Sequence, residues 1–292
     1  MTLAIAIHGG AGKIGKERIG IGMEGCQEAA EIGKQILKQG GTAVEAVEAA
    51  VRAMEDNANF NAGTGSCLTS EGNIEMDAGM MEGHTLQVGA IAGIELVKNP
   101  ITLARHVLRS RHVLLIGQGA RQFAEKEGFE FCRLEDLLTE RQRTNWQRAQ
   151  ALTAHTTEAE DVTDEKKHGT VGAVAIDGYG HLAAATSTGG IINKHPGRVG
   201  DSPLVGCGFY ADKNAAISCT GYGEDFTRLL IAKRVADAVG QGKTAQEAAD
   251  EVIAFLGTQT EETGGLIVAD RHGNTGYAWN SENMMYAALQ NQ

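Results

Sequence analysis

Apolar residues recur along this chain in two periods, and the switches between them mark out its elements. Residues 3–7 are a short apolar run ending in H-G-G-A-G, the pattern of a buried strand that meets a glycine turn. Residues 23–38 carry apolar positions at helical spacing and stop at Gly40-Gly41. Thr42 and Glu45 then stand three apart ahead of a second periodic run. Each side chain can satisfy a backbone N–H left open at a helix start, so this capping box predicts a helix to about Met54. Thr244 and Glu247 repeat the signal before A-A-D-E-V-I-A-F-L, and Pro100 stands at the first turn of a helix through Leu108. Short, glycine-punctuated strands are expected at 66–69, 74–80, 88–94 and 113–116. Residues 171–176 and 182–187 flank the turn sequence D-G-Y-G and predict a β-hairpin.

One stretch breaks both periods. Residues 152–167, L-T-A-H-T-T-E-A-E-D-V-T-D-E-K-K, are polar, mostly acidic and without an apolar face, and read as a mobile linker. A strand therefore begins directly behind His168-Gly169-Thr170. Strand groups alternate with helix groups instead of following a β-α-β repeat. That order predicts an α+β fold with two sheets packed face to face and helices outside, a four-layer α/β/β/α sandwich. The 292 residues, 42% of them hydrophobic, supply a core of the required size.

Composition narrows the partners. A net charge of −11 with no Lys/Arg-rich run argues against nucleic-acid and anionic-membrane surfaces, both of which need concentrated positive charge. The first ten residues lack a basic segment and fit a strand better than a secretory signal, and no stretch has the apolar length to span a bilayer. Five cysteines, an odd number at unrelated spacings with no C-x-x-C pair, suggest reduced thiols in a cytoplasmic enzyme.

Two glycine motifs need weighing before any chemistry is assigned. Residues 10–16, G-A-G-K-I-G-K, follow a strand and fit the phosphate-cradling G-x-x-x-x-G-K loop, but Glu17 stands where magnesium binding needs Ser or Thr. A carboxylate there repels phosphate, so a plain glycine turn is the better reading. Nucleotide binding stays as the competitor from another class, to be told by ATP-dependent thermal stabilisation without self-cleavage. Gly117-Gln118-Gly119 hints at a dinucleotide turn, yet the third glycine would fall at Gln122. The nine histidines include no H-x-x-x-H or H-E-x-x-H pair, so no cofactor or catalytic metal is expected.

The chemistry lies in a series of blocks. H-G-T-V-G-A-V-A-I-D begins at His168, A-T-S-T-G-G at Ala185, G-R-V-G-D-S-P at Gly197 and S-C-T-G-Y-G-E at Ser218. Before the linker come I-H-G-G-A-G from Ile7, F-N-A-G-T-G-S from Phe60 and E-M-D-A from Glu75. In this order, over nearly the whole chain, the blocks resemble the plant-type L-asparaginase/isoaspartyl peptidase family of N-terminal-nucleophile hydrolases. The resemblance implies a single domain over residues 1–292 that cuts itself between Gly169 and Thr170 into 1–169 and 170–292. The reason is chemical. A threonine hydroxyl needs an adjacent base, and a free N-terminal threonine carries one in its α-amine, whose unperturbed pKa is about 7.7–8.0. Within an intact chain that nitrogen is an amide, so the bond before Thr170 has to break first. Gly169 offers no side chain to hinder a bent peptide.

The resemblance implies a role for each matching position. Thr170 is the nucleophile and Thr188 a second threonine bonded to it. Arg198 grips the substrate α-carboxylate, a task suited to a planar guanidinium, and Asp201 holds its α-ammonium. Thr220 and Gly221 form the oxyanion hole, Gly223 admits the substrate, and Asn61 supports self-cleavage. Backbone carbonyls of Met54, Glu55, Asn57, Phe60, Ala62 and Thr64 are expected to wrap a structural sodium ion. The expected substrates are L-asparagine and β-aspartyl dipeptides, and the expected assembly is two cleaved copies, (αβ)2. Gly79 stands where the family often has serine, and Asn280 to Met284 reads N-S-E-N-M, departures expected to alter packing near the pocket. A glycosylasparaginase is the nearest enzymatic rival, but D-T-I-G and T-S-T-N-G would replace H-G-T-V-G and T-S-T-G-G. An inert, uncleaved scaffold is the third alternative.

Overall fold

The computed structural model describes residues 2–153 and 167–290. Its strands are β1 (Ala4–Gly12), β2 (Met76–Glu82), β3 (Val88–Ile94), β4 (Leu114–Ile116), β5 (Lys167–His168), β6 (Val171–Ile176), β7 (Leu182–Thr188), β8 (Phe209–Ala211), β9 (Ala215–Gly221), β10 (Gly264–Asp270), β11 (Thr275–Trp279) and β12 (Asn283–Gln290). Its helices are α1 (Lys16–Lys38), α2 (Ala43–Glu55), α3 (Pro100–Leu108), α4 (Gly117–Lys126), α5 (Leu134–Leu137), α6 (Glu140–Thr153), α7 (Gly223–Leu229), α8 (Ile231–Gly240) and α9 (Ala245–Gln259).

The strands form two sheets, one in the order β12-β1-β6-β7-β2-β3-β4 with β5 also on β1, the other in the order β11-β10-β9-β8. Alternation along each strand builds three apolar layers. Ile5 and Ile7 of β1 and Ala173 and Ala175 of β6 pack with Ala29 of α1 and Val47 and Val51 of α2. The intervening Ala4, Ala6, Val174 and Ile176 face the other way, onto Phe209, Ala216, Ile267 and Ala269 of the second sheet. Ile217, Cys219, Leu266 and Val268 cover Val235 of α8 and Val252 and Leu256 of α9. The expected four-layer α/β/β/α sandwich is the observed one.

Thr42 and Thr244 both close reciprocal capping boxes, with Glu45 and Glu247. The D-G-Y-G turn joins β6 and β7, Asp177 accepting from Gly180 and donating to His181. Three expectations change. The strand at 66–69 does not form: Thr69 makes only an isolated bridge to Lys194. Gly63 and Gly65 turn the chain there with positive φ, and Gln142 and Trp146 of α6 take the Gly65 and Thr69 carbonyls that a neighbouring strand would need. The helix expected from residue 23 begins at Lys16, behind Gly15. Residues 10–12, read as the start of a glycine turn, are still strand, paired with β12 and β5, so their backbone is committed to the sheet. The acidic stretch at 152–167 falls mostly outside the described residues; Leu152 and Thr153 end α6 and Lys167 lies in β5.

One register feature positions the chemistry. Along the same edge of β1, His8 pairs with Gly172 but Ala11 pairs with His168, so residues 169–171 oppose only residues 9 and 10. The extra residue makes a bulge, a device that re-aims the side chains at a strand's end. Gly169 and Thr170 occupy it.

Candidate active site

Thr170 leads into β6 and is buried. Val171 pairs with Ser187, which sets Thr188, the last residue of β7, beside Thr170. The Thr170 hydroxyl donates to Thr188 Oγ1 at 3.3 Å, and Thr188 Oγ1 also accepts from the Gly190 N–H at 3.0 Å. A Cβ on Gly169 would lie 2.6 Å from Asn61 Cβ, so no other residue fits before Thr170 without displacing the Asn61 loop. Asn61 is itself fixed: its Nδ2 donates to the Gly190 carbonyl at 2.7 Å and its Oδ1 accepts from Cys67 N–H at 2.9 Å.

Opposite this pair, β9 ends in Thr220 and Gly221. Thr220 Oγ1 is buried without a partner among the described residues. An orphaned buried hydroxyl costs about 1–3 kcal/mol, a cost a ligand's oxygen would remove. Gly221 is confined by Phe226, whose Cε2 would lie 2.3 Å from an added Cβ. Gly223 opens α7 against Arg198 and Asp201, whose atoms stand 2.9 and 3.0 Å from the Cβ it lacks.

Arg198 is largely buried, and its Nε and Nη2 donate to Glu224 at 2.9 and 2.7 Å. Burial opposes its charge, and Glu224 more than restores it. Asp201 is buried with Oδ2 unpartnered; burial lifts its carboxyl to about 7, against the pull of Arg198. Thr170, Thr188, Arg198, Asp201, Gly221 and Gly223 line one cavity of about 10 Å³, room for about one water. The structure thus brings six of the expected residues to one cavity; Thr220 directly precedes Gly221 in β9, and Asn61 and Gly169 line a neighbouring cavity.

Two neighbours had no role in the sequence reading. Glu224 ends the S-C-T-G-Y-G-E block and occupies one edge of the Arg198 fork. His8 Nε2 lies 2.7 Å from Ser218 Oγ, which donates to the Ala185 carbonyl at 3.2 Å. The ring and the hydroxyl thus share one hydrogen bond, while His8 Nδ1 has no partner among the described residues. Burial lowers the His8 pKa to about 3, opposed by the Thr170 backbone beside it. A histidine inside an otherwise apolar run was the only signal for it in the sequence.

The loop at 54–64 crowds backbone oxygens together. A Cβ on Gly63 would meet the Glu55 and Lys98 carbonyl oxygens at 2.5 and 2.9 Å, and one on Gly65 those of Phe60 and Ala58 at 2.5 and 2.8 Å. Among the described residues no three His, Cys, Asp or Glu side chains gather as metal ligands, so a cation here would rest on carbonyls. Of the two departures, Gly79 lies between the sheets, where a Cβ would be 2.2 Å from Phe209 Cε1. Asn280 accepts from Gly264 N–H, while Met284 packs between the sheets.

Comparison with known proteins identifies the family. The family model described as asparaginase matches residues 1–292. An isoaspartyl peptidase/L-asparaginase of Danio rerio is 42% identical over 292 residues, 99% of this chain and 93% of that protein. The Homo sapiens protein of the same name is 43% identical over 293 residues, covering 99% and 94%. A plant-type L-asparaginase of Thermococcus kodakarensis is 46% identical over 300 residues, covering 98% and 96%.

Proposed function

The chain belongs to the asparaginase family, and from that premise we propose that it is an L-asparaginase/isoaspartyl peptidase that activates itself by cutting before Thr170. The observation that carries the reading is the shared cavity: a buried threonine behind a glycine, hydrogen-bonded to Thr188, in a pocket with Arg198, Gly221 and Asp201, whose Oδ2 is unpartnered.

Self-cleavage begins with attack of the Thr170 hydroxyl on the Gly169 carbonyl carbon. The C–N bond breaks, the acyl group passes to Oγ, and water hydrolyses the ester. Thr170 then carries a free α-amine, which takes the proton from its own Oγ as that oxygen attacks the side-chain amide of the substrate. Thr220 Oγ1 and the Gly221 N–H stabilise the negative oxygen of the tetrahedral intermediate. The protonated amine passes its proton to the departing nitrogen, leaving an acyl-Thr170 ester that water resolves. Arg198 receives the substrate α-carboxylate on its Nη1/Nη2 edge, held in orientation by Glu224 on the other. Asp201 receives the α-ammonium, whose charge favours the ionised carboxylate.

A structural sodium ion on backbone carbonyls of the 54–64 loop is part of this reading, supported by the Glu55 and Lys98 carbonyls that crowd Gly63. Pairing of two cleaved copies is supported by edge strand β4, where Leu114 and Ile116 are exposed together with the preceding Val113. The five cysteines are unpaired, which supports a reducing, cytoplasmic setting. No helix among the described residues is long and apolar enough to cross a membrane.

The test is turnover. The cleaved protein should release ammonia from L-asparagine and free amino acid from a β-aspartyl dipeptide, and Thr170→Ala should release neither. Substrate turnover by Thr170→Ala would overturn the assignment of the nucleophile.

A further inference from the structure

Two cavities abut the Gly169–Thr170 bond. The small one on the Thr170 side is lined by Arg198 and Asp201, the groups read as holding the aspartyl carboxylate and ammonium. The second, about 340 Å³, has Gly169 and Asn61 in its wall and lies within the roughly 300–1,000 Å³ range of small-molecule pockets. Arg18, Arg141 and Arg148 supply its charged side and Ile192 and Met285 part of its apolar side.

Arg141 is the unusual group. Its Nη2 donates to the Ala58 and Phe60 carbonyls at 3.0 and 3.3 Å, and it pairs with no carboxylate among the described residues. Burial and the neighbouring charge of Arg18 depress its pKa to about 10. A half-buried guanidinium that is repelled by another cation and met only by carbonyl dipoles gains most from an incoming anion.

We propose that this cavity is the leaving-group site, where Arg141, flanked by Arg18 and Arg148, holds the free α-carboxylate of the amino acid released from a β-aspartyl dipeptide. The inference rests on the reading of Thr170 as nucleophile. It assigns the two ends of a dipeptide to two arginine sites on either side of the scissile amide: Arg198 for the aspartyl carboxylate, Arg141 for the departing one. L-Asparagine releases ammonia, which has no carboxylate, so the second site acts on dipeptides alone. It is therefore the place where preference between the two substrate classes is set.

The experiment compares a β-aspartyl dipeptide with its C-terminal amide, using the self-cleaved protein at low salt. The free acid should be favoured about tenfold in kcat/KM, mainly through KM, the size expected for one charge-assisted contact. Arg141→Gln should bring that preference towards parity. Arg141 also braces the 58–60 loop, so Arg148→Gln, at an exposed position, provides a second variant, which should lower the preference by a smaller factor. Added salt should weaken the preference in the parent. Equal handling of acid and amide by the parent, or a preference untouched in both variants, overturns the proposal. A parent that hydrolyses neither dipeptide nor asparagine overturns instead the Thr170 reading beneath it.

Discussion

Arg198 donates Nε and Nη2 to Glu224 and leaves its Nη1/Nη2 edge for a ligand, so recognition and self-cleavage can be separated at this one side chain. The bond before Thr170 is already held by the bulge between β5 and β6, and its cleavage captures no free carboxylate. Arg198→Ala should therefore still split before Thr170 yet lose nearly all turnover of L-asparagine and β-aspartyl dipeptides. Arg198→Lys should recover little, because an ammonium can satisfy neither Glu224 nor the substrate as a fork does. A denaturing gel reads processing and product release reads turnover; a cleaved Arg198→Ala protein that matches the parent would remove Arg198 from the carboxylate site. At this scale the sequence was most legible where chemistry is local, as in H-G-T or G-R-V-G-D. It was least legible where partners are distant: His8 and Ser218 are 210 residues apart. Nothing in the chain's linear order announces that contact.

Elements show the same division. Helices α2 and α9 were readable because their capping boxes use residues three apart. Strands β9 and β10 were not picked out, because both faces are buried and alternation disappears. Helix α6 hides for the opposite reason: Gln142, Trp146 and Gln150 hold it to the 65–70 segment by polar contacts, with little apolar stripe to see. The link from β1 through His8 and Ser218 to β7 carries a pH signature. A Cβ on Gly172 would fall 1.9 Å from Ser218 Oγ and 2.4 Å from His8 Nε2, so the link is tightly enclosed. The folded His8 pKa of about 3 lies below its ordinary 6.5, so protons favour the unfolded chain. This contribution to stability is complete above pH 6.5 and is lost as pH falls towards 3, at up to about 1.4 kcal/mol per pH unit. In a Thr170→Ala background, expected to stay a single chain, urea titrations should show the parent losing its advantage over His8→Gln between pH 6.5 and 4.5. Parallel pH curves for the two would rule out a neutral, buried His8.

For the whole molecule, the four layers place Thr170 at the end of the central hairpin of the larger sheet, against the strand ends of the smaller one. Both sheets are needed to complete the cavity: Thr170 leads into β6, β7 ends in Thr188, and β9 ends in Gly221. The layer order was legible because strand groups and helix groups alternate, whereas the meeting of the sheets' ends depends on packing that no local pattern encodes. On this reading the architecture serves to free the amine of Thr170. Intact-mass analysis of aged, purified protein under denaturing conditions tests it most directly. Two chains are expected, residues 1–169 and a second beginning T-V-G-A-V at Thr170, with Thr170→Ala remaining as one. A parent that stays whole after prolonged incubation, or a Thr170→Ala protein that splits at the same bond, would contradict it.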